Sequence, residues 1–207
     1  ALIDAVDQRG RCCLAMSGGT SPFRMFEELA KMELPWEAVH LFQVDERATR
    51  DDSPDRNFTG LRDHLLAYAA IPSVNLHPMP VGMPSLDEAA ARYTETLETF
   101  CGDPPELDVV HLGIGTDGHV ASLFPGTPEL DERERLVVST GEHAGFRRLS
   151  LTFPVINAAH DLMMLVVGAE KAEALAAMVA GDDVPASRLD TARLHVFATD
   201  EAAASIG

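Results

Sequence analysis

The segment Gly113-Ile114-Gly115-Thr116-Asp117-Gly118-His119 follows the apolar run Leu107–Leu112 and packs the most chemistry into the least chain. Its glycines let backbone come close to a small ligand, and one residue separates Asp117 from His119. Histidine, with an ordinary pKa of about 6.5, suits proton abstraction near neutrality. A carboxylate beside it would orient the ring and tune its basicity. A lone histidine is ordinarily a structural residue, but a glycine loop at a strand end reverses that reading. The loop also spells G-x-G-x-x-G, which invites a dinucleotide site. That assignment is rejected. The acidic residue that would hold the ribose belongs at the end of the next strand, whereas Asp131 lies in the charged run Glu129–Arg135 before it. Asp117 would also put a carboxylate inside the loop meant to cradle a pyrophosphate.

Three further clusters bear charge or hydrogen-bond donors. Ser17-Gly18-Gly19-Thr20-Ser21-Pro22 stands between an apolar run and a helical pattern. Two glycines there allow backbone N–H groups to converge on an anion, with the helix dipole and the hydroxyls adding to the attraction. Read alone, it is equally a tight turn. Asp45-Glu46-Arg47 closes a second apolar run, either as an ordinary solvated strand end or as a carboxylate beside an Arg clamp. Arg147-Arg148 precede a strand, and Lys171 follows Gly168-Ala169-Glu170. With a net charge of −17 and only 16 Lys plus Arg, two of them lysines, the chain must gather cations locally to hold an anion. That charge argues against nucleic acid and anionic membranes as partners.

These clusters punctuate an alternating pattern. Strands are expected at Arg11–Met16, Val39–Val44, Asn75–His77, Leu107–Leu112, Arg135–Ser139, Leu149–Phe153, Leu162–Val167 and Leu194–Ala198. Helices are expected near Pro22–Lys31, Phe58–Ala67 and Glu170–Val179. Another runs from the N-cap Ser85, whose capping box Glu88 completes, to about Phe100. Continuous apolar strands separated by helices predict a single α/β domain over residues 1–207, built on a mostly parallel, Rossmann-like sheet with helices on both faces. Ligands of such folds gather at the carboxyl ends of strands, where the polar clusters fall.

The remaining features exclude several classes. No apolar stretch reaches the ~20 residues of a membrane span, so a soluble, cytoplasmic protein is expected. The first residues lack the pattern of a secretory signal and begin as though part-way along a helix, without Met, so some N-terminal sequence is expected to be missing. Cys12, Cys13 and Cys101 make no disulfide framework and read as buried thiols, with Cys12 and Cys13 pointing to opposite faces of one strand. The histidines include no His-Glu-x-x-His, and no Gly-x-Ser-x-Gly elbow exists, so neither a metal nor a serine nucleophile is expected. Water activated by a base is the simplest hydrolytic chemistry left.

Taken together, the clusters resemble the 6-phosphogluconolactonases, relatives of the glucosamine-6-phosphate deaminases. The resemblance rests on Ser17–Pro22, Asp45-Glu46-Arg47 and Gly113–Gly126, with support from Arg148–Thr152, Ile156-Asn157, Gly168–Lys171 and Pro185–Arg188. It runs from about residue 11 to the end. Deaminases carry Asp-Glu-Tyr in place of Asp45-Glu46-Arg47, and Ala-Phe-Asn-Glu-Pro in place of Ala121–Pro125, so the lactonase branch is the nearer. The resemblance implies hydrolysis of 6-phosphoglucono-lactone in the oxidative pentose phosphate route, without cofactor. His119 would be the base, and Asp117 and Asp45 would shape the site. Ser17, Gly18, Gly19, Thr20, Ser21, Arg47, Asn57, Gly115, Arg148 and Lys171 would meet substrate and phosphate. Two departures stand out. The family has Ser-Asn together where Asn57 falls, and here Ser53 is displaced; Arg147 competes with Arg148 for one role. The only partner implied is the small sugar phosphate, and homo-oligomerisation is left open. A sugar-phosphate isomerase or deaminase, and a non-catalytic sensor, are the rival readings.

Overall fold

A computed structural model describes residues 1–206. Six strands form a parallel sheet in the order β4 (Leu76–His77), β2 (Val39–Gln43), β1 (Cys12–Met16), β5 (Val109–Leu112), β8 (Asp161–Val166), β9 (Leu194–Ala198). The central β1 is buried along its whole length, as a parallel strand covered on both faces must be. Its alternation splits the core. Cys12, Leu14 and Met16 join Phe26 of α2 (Phe23–Ala30), Ala5 of α1 (Leu2–Arg9) and Leu61 of α3 (Asn57–Leu61). Cys13 and Ala15 face Tyr93 and Leu97 of α4 (Leu86–Cys101), Ile156 of α5 (Phe153–Ala158) and Leu175 of α6 (Ala172–Ala180). The two neighbouring thiols thus point to opposite faces as expected, and burial pushes Cys12 up to about 12. No helix among the described residues is long and apolar enough to cross a membrane.

The structure differs from the expected layout in one respect that matters for the site. Asp45–Arg47 is itself a strand, β3, and with β7 (Arg148–Leu151) and β6 (Val137–Ser139) it forms a separate antiparallel sheet in the order β3-β7-β6. The expected strand at Leu149–Phe153 ends at Leu151, because Pro154 and the residues after it turn into α5. Antiparallel register sets Asp45 opposite Ser150 and Arg47 opposite Arg148. Of the helices, α4 starts as predicted, with Ser85 Oγ accepting from the Glu88 N–H at 3.3 Å. The helix expected at Phe58–Ala67 is α3 followed by a π-helical turn at Arg62–Leu66.

Tyr93 of α4 locks the end of β2. Its hydroxyl accepts from Gln43 N–H at 2.7 Å and donates to the Gln43 carbonyl at 3.1 Å. Gln43 then donates through Nε2 to Glu46 at 2.9 Å, so the core helix fixes the first residues of β3.

Candidate active site

A cleft of about 450 Å³ opens at the carboxyl ends of β1, β2, β5 and β8. Ser17, Gly18, Gly19, Thr20, Ser21, Asp45, Arg47, Asn57, Gly115, His119, Arg148 and Lys171 all line it. Asp117 alone among the expected residues does not. It stands behind His119, with Oδ1 2.6 Å from the ring Nδ1. Arg148 faces the cleft and is buried, while Arg147 is exposed, so strand alternation separates the two.

One side of the cleft is built on Gly115. A β-carbon there would collide with the His119 ring and with Asp117 Oδ1, so only glycine lets the pair lie on this backbone. The loop closes through Gly115 N–H to the His119 carbonyl at 2.8 Å, and Gly118 takes a positive φ of 80°. With its proton on Nδ1 and shared with Asp117, the imidazole leaves a lone pair on Nε2, which makes no hydrogen bond among the described residues. Burial works to raise the Asp117 carboxyl, but the hydrogen bond and charge of His119 outweigh it and hold the group below its ordinary value. Phe124 backs the ring, centroid to centroid at 4.5 Å.

The second support of the cleft, built on Gly18, is more deeply buried and is joined to the first through Ser122. Asp45 is buried, accepting from Ser122 Oγ at 2.6 Å on Oδ2 and from Asn57 Nδ2 at 3.2 Å on Oδ1. Burial raises its carboxyl, against the Ser122 bond and the Arg148 charge. Ala121 at φ 51° turns the chain so that Ser122 reaches inward two residues after Val120. Glu46 is wholly buried and accepts from four N–H groups: Asn57 N and Arg47 N on Oε1, Phe58 N and Gln43 Nε2 on Oε2. Asn57 in turn packs on Gly18, where a β-carbon would strike its side chain. That contact clamps the Ser17–Ser21 loop, with Gly19 at φ 89°, against the end of β3.

Cations ring the opening. The cross-strand pair Arg47 and Arg148 sets two like charges side by side, which costs stability unless an anion lies between them. Burial presses Arg148 below its ordinary value, with Asp45 offsetting and Arg47 adding to the effect. The Arg148 guanidinium lies over Phe124, 5.2 Å from its centroid, and its buried Nε has no partner. Lys171 closes the far edge from a turn of 3-10 helix ahead of α6 and forms no ion pair among the described residues.

Sequence reasoning missed four residues here. Glu46 organises one side; its signal was its place in Asp45-Glu46-Arg47. Arg56, buried and lining the cleft, had no pattern to mark it. Phe124 and His111 supply the backing and floor; His111 is pushed down to about 4 by burial. Among the described residues no group of three or more His, Cys, Asp or Glu is placed to hold a metal ion.

The matching family model is that of the glucosamine-6-phosphate isomerases/6-phosphogluconolactonase, over residues 1–201. The chain belongs to this family. It is 40% identical over 185 residues to a 6-phosphogluconolactonase of Synechocystis, covering 87% of this chain and 77% of that one. It is 41% identical over 180 residues to a 6-phosphogluconolactonase of Nostoc, covering 85% and 75%. Among solved structures, the 6-phosphogluconolactonase of Thermotoga maritima superposes with a TM-score of 0.85 at 28% identity, covering 94% of this chain and 88% of that one. The parallel sheet flanked by helices agrees with that α/β fold.

Proposed function

We propose that this chain is a 6-phosphogluconolactonase that opens the lactone by water attack, with His119 as general base. The observation that carries the reading is the free Nε2 of His119, held by Asp117 on Gly115 and facing a cleft ringed by Arg47, Arg148 and Lys171. Water placed between Nε2 and the lactone carbonyl gives its proton to His119 as its oxygen bonds to carbon. Negative charge gathers on the carbonyl oxygen, which needs N–H donors or a guanidinium in reach. The tetrahedral intermediate then expels the ring oxygen, which takes the proton back from His119, leaving an acid that ionises. Asp117 holds the ring in one tautomer and stabilises the imidazolium in between. The step as written uses neither metal nor cofactor.

Arginines opposite one another and a glycine-loop anion site suit the substrate's phosphate. The expected setting is the oxidative pentose phosphate route, in the reducing cytoplasm where three thiols stay unpaired. The deciding experiment is hydrolysis of freshly generated 6-phosphoglucono-δ-lactone above its spontaneous rate, with glucosamine 6-phosphate as the control. Acceleration without ammonia release supports the reading, and ammonia release would move the chain to the deaminase branch. His119→Ala should lose roughly 10²–10⁴ of the rate while still binding 6-phosphogluconate. Unchanged hydrolysis would remove His119 from the mechanism.

A further inference from the structure

Arg56 is 6% exposed and lies against the buried carboxylate of Glu46, yet that pairing does not use the whole guanidinium. Its Nε lies 3.1 Å from Glu46 Oε2 but is not aligned for a hydrogen bond. Four N–H groups already fill the lone-pair positions of Glu46, so Arg56 answers its charge without donating a hydrogen bond to it. Nη1 is committed on the outer side, to Asp51 Oδ1 at 2.7 Å and the Thr49 carbonyl at 3.3 Å. Nη2 makes no hydrogen bond among the described residues, and Arg56 lines the cleft. A guanidinium anchored at Nη1 and ion-paired at Nε, with Nη2 unspent beside a cleft, can still receive an anion.

Its place in the chain says which anion. Asn57, the next residue, packs its side chain on Gly18, which ties the Arg56 backbone to the Ser17–Ser21 loop, and both line the cleft. His119 and Asp117 pack on Gly115, the other support of the cleft. We propose that Arg56 is a further substrate-binding residue, its free Nη2 contacting the phosphate on the glycine-loop side rather than the lactone carbonyl. This rests on the lactonase reading for the identity of the substrate. The anion contact itself can be measured without it.

The test compares wild type with Arg56→Lys, which keeps a positive charge near Glu46 but cannot hold Asp51 and offer a second nitrogen at once. Titration with inorganic phosphate and with 6-phosphogluconate should show affinity weakened roughly tenfold to hundredfold, the range of a hydrogen bond to a charged group. KM for the phosphorylated lactone should rise by the same factor with kcat within about twofold, and hydrolysis of unphosphorylated gluconolactone should be unaltered. Equal phosphate affinity in the two proteins overturns the proposal, as does a kcat loss shared by both lactones, which would mean Arg56 only shapes the fold. Should Arg56→Lys fail to fold, Glu46→Gln/Arg56→Gln removes both charges together and carries the same readouts. A wild type that binds phosphate but hydrolyses no lactone would sink the lactonase reading and leave the Arg56 contact to be judged by the titration alone.

Discussion

The two sides of the cleft hold their carboxylates in opposite ways. On the Gly115 side, Asp117 is 41% exposed at its side chain, bonded chiefly to one histidine, and shifted down. On the Gly18 side, Asp45 and Glu46 are buried, Glu46 takes four N–H donors, and Asp45 is shifted up. The difference follows from what each side must do. A base needs an unspent lone pair and a neighbour that can answer its change of charge. A scaffold needs its buried carboxylate oxygens satisfied, so that loops from four strands stay in register. One glycine underlies each side, and each is there because a side chain must lie where a β-carbon would be.

The largest effect is expected at Asp117. Asp117→Asn keeps the size but removes the charge that holds His119 in its tautomer. Hydrolysis should fall roughly 10²- to 10⁴-fold, with little change in the thermal midpoint because the pair is partly exposed to solvent. A midpoint that dropped with the rate would show this side to be scaffold as well. Glu46→Gln should do the reverse. One amide N–H would face donors where an oxygen now accepts, and Arg56 would lose its buried counter-charge. Stability should fall by about 3–5 kcal/mol, read by urea unfolding, while the fraction that stays folded keeps measurable hydrolysis. A stable Glu46→Gln protein with abolished activity would mean that Glu46 belongs with the chemistry.

The sequence was most legible where one residue type has one job. The parallel strands were readable as buried apolar runs, and the glycine loops at their ends pointed to the cleft; the structure brings every expected residue to it or directly behind it. Illegible were the parts that depend on a distant partner. Three-residue strands such as β3 carry no period, so the antiparallel sheet pairing Arg47 with Arg148 could not be foreseen. Phe153 reads as the tail of the Leu149–Phe153 strand until Pro154 is seen in the first turn of a helix. Arg56 lies in a polar loop among acidic residues, where burial is the last thing its neighbours suggest. Asp45 and Asp117 are the same residue type, and only packing tells their environments apart.

The smallest effect is a dependence of stability on pH. Asp45 is raised when folded, so between its ordinary value and its folded one the native state binds more protons than the unfolded chain, and stability falls as pH rises through that window. Asp117 is lowered, so its contribution is present above its ordinary value and is lost as pH falls through the folded one. Ser122→Ala removes the 2.6 Å bond that opposes the rise in Asp45. It should cost about 1.5–3 kcal/mol near pH 7, where a buried carboxylate loses a donor. It should cost less near pH 4, where protonation of Asp45 is cheaper than leaving its charge unsolvated. Denaturant midpoints at the two pH values decide the matter. An equal loss at both would mean that Asp45 keeps one protonation state across the range and does not titrate between the two pH values.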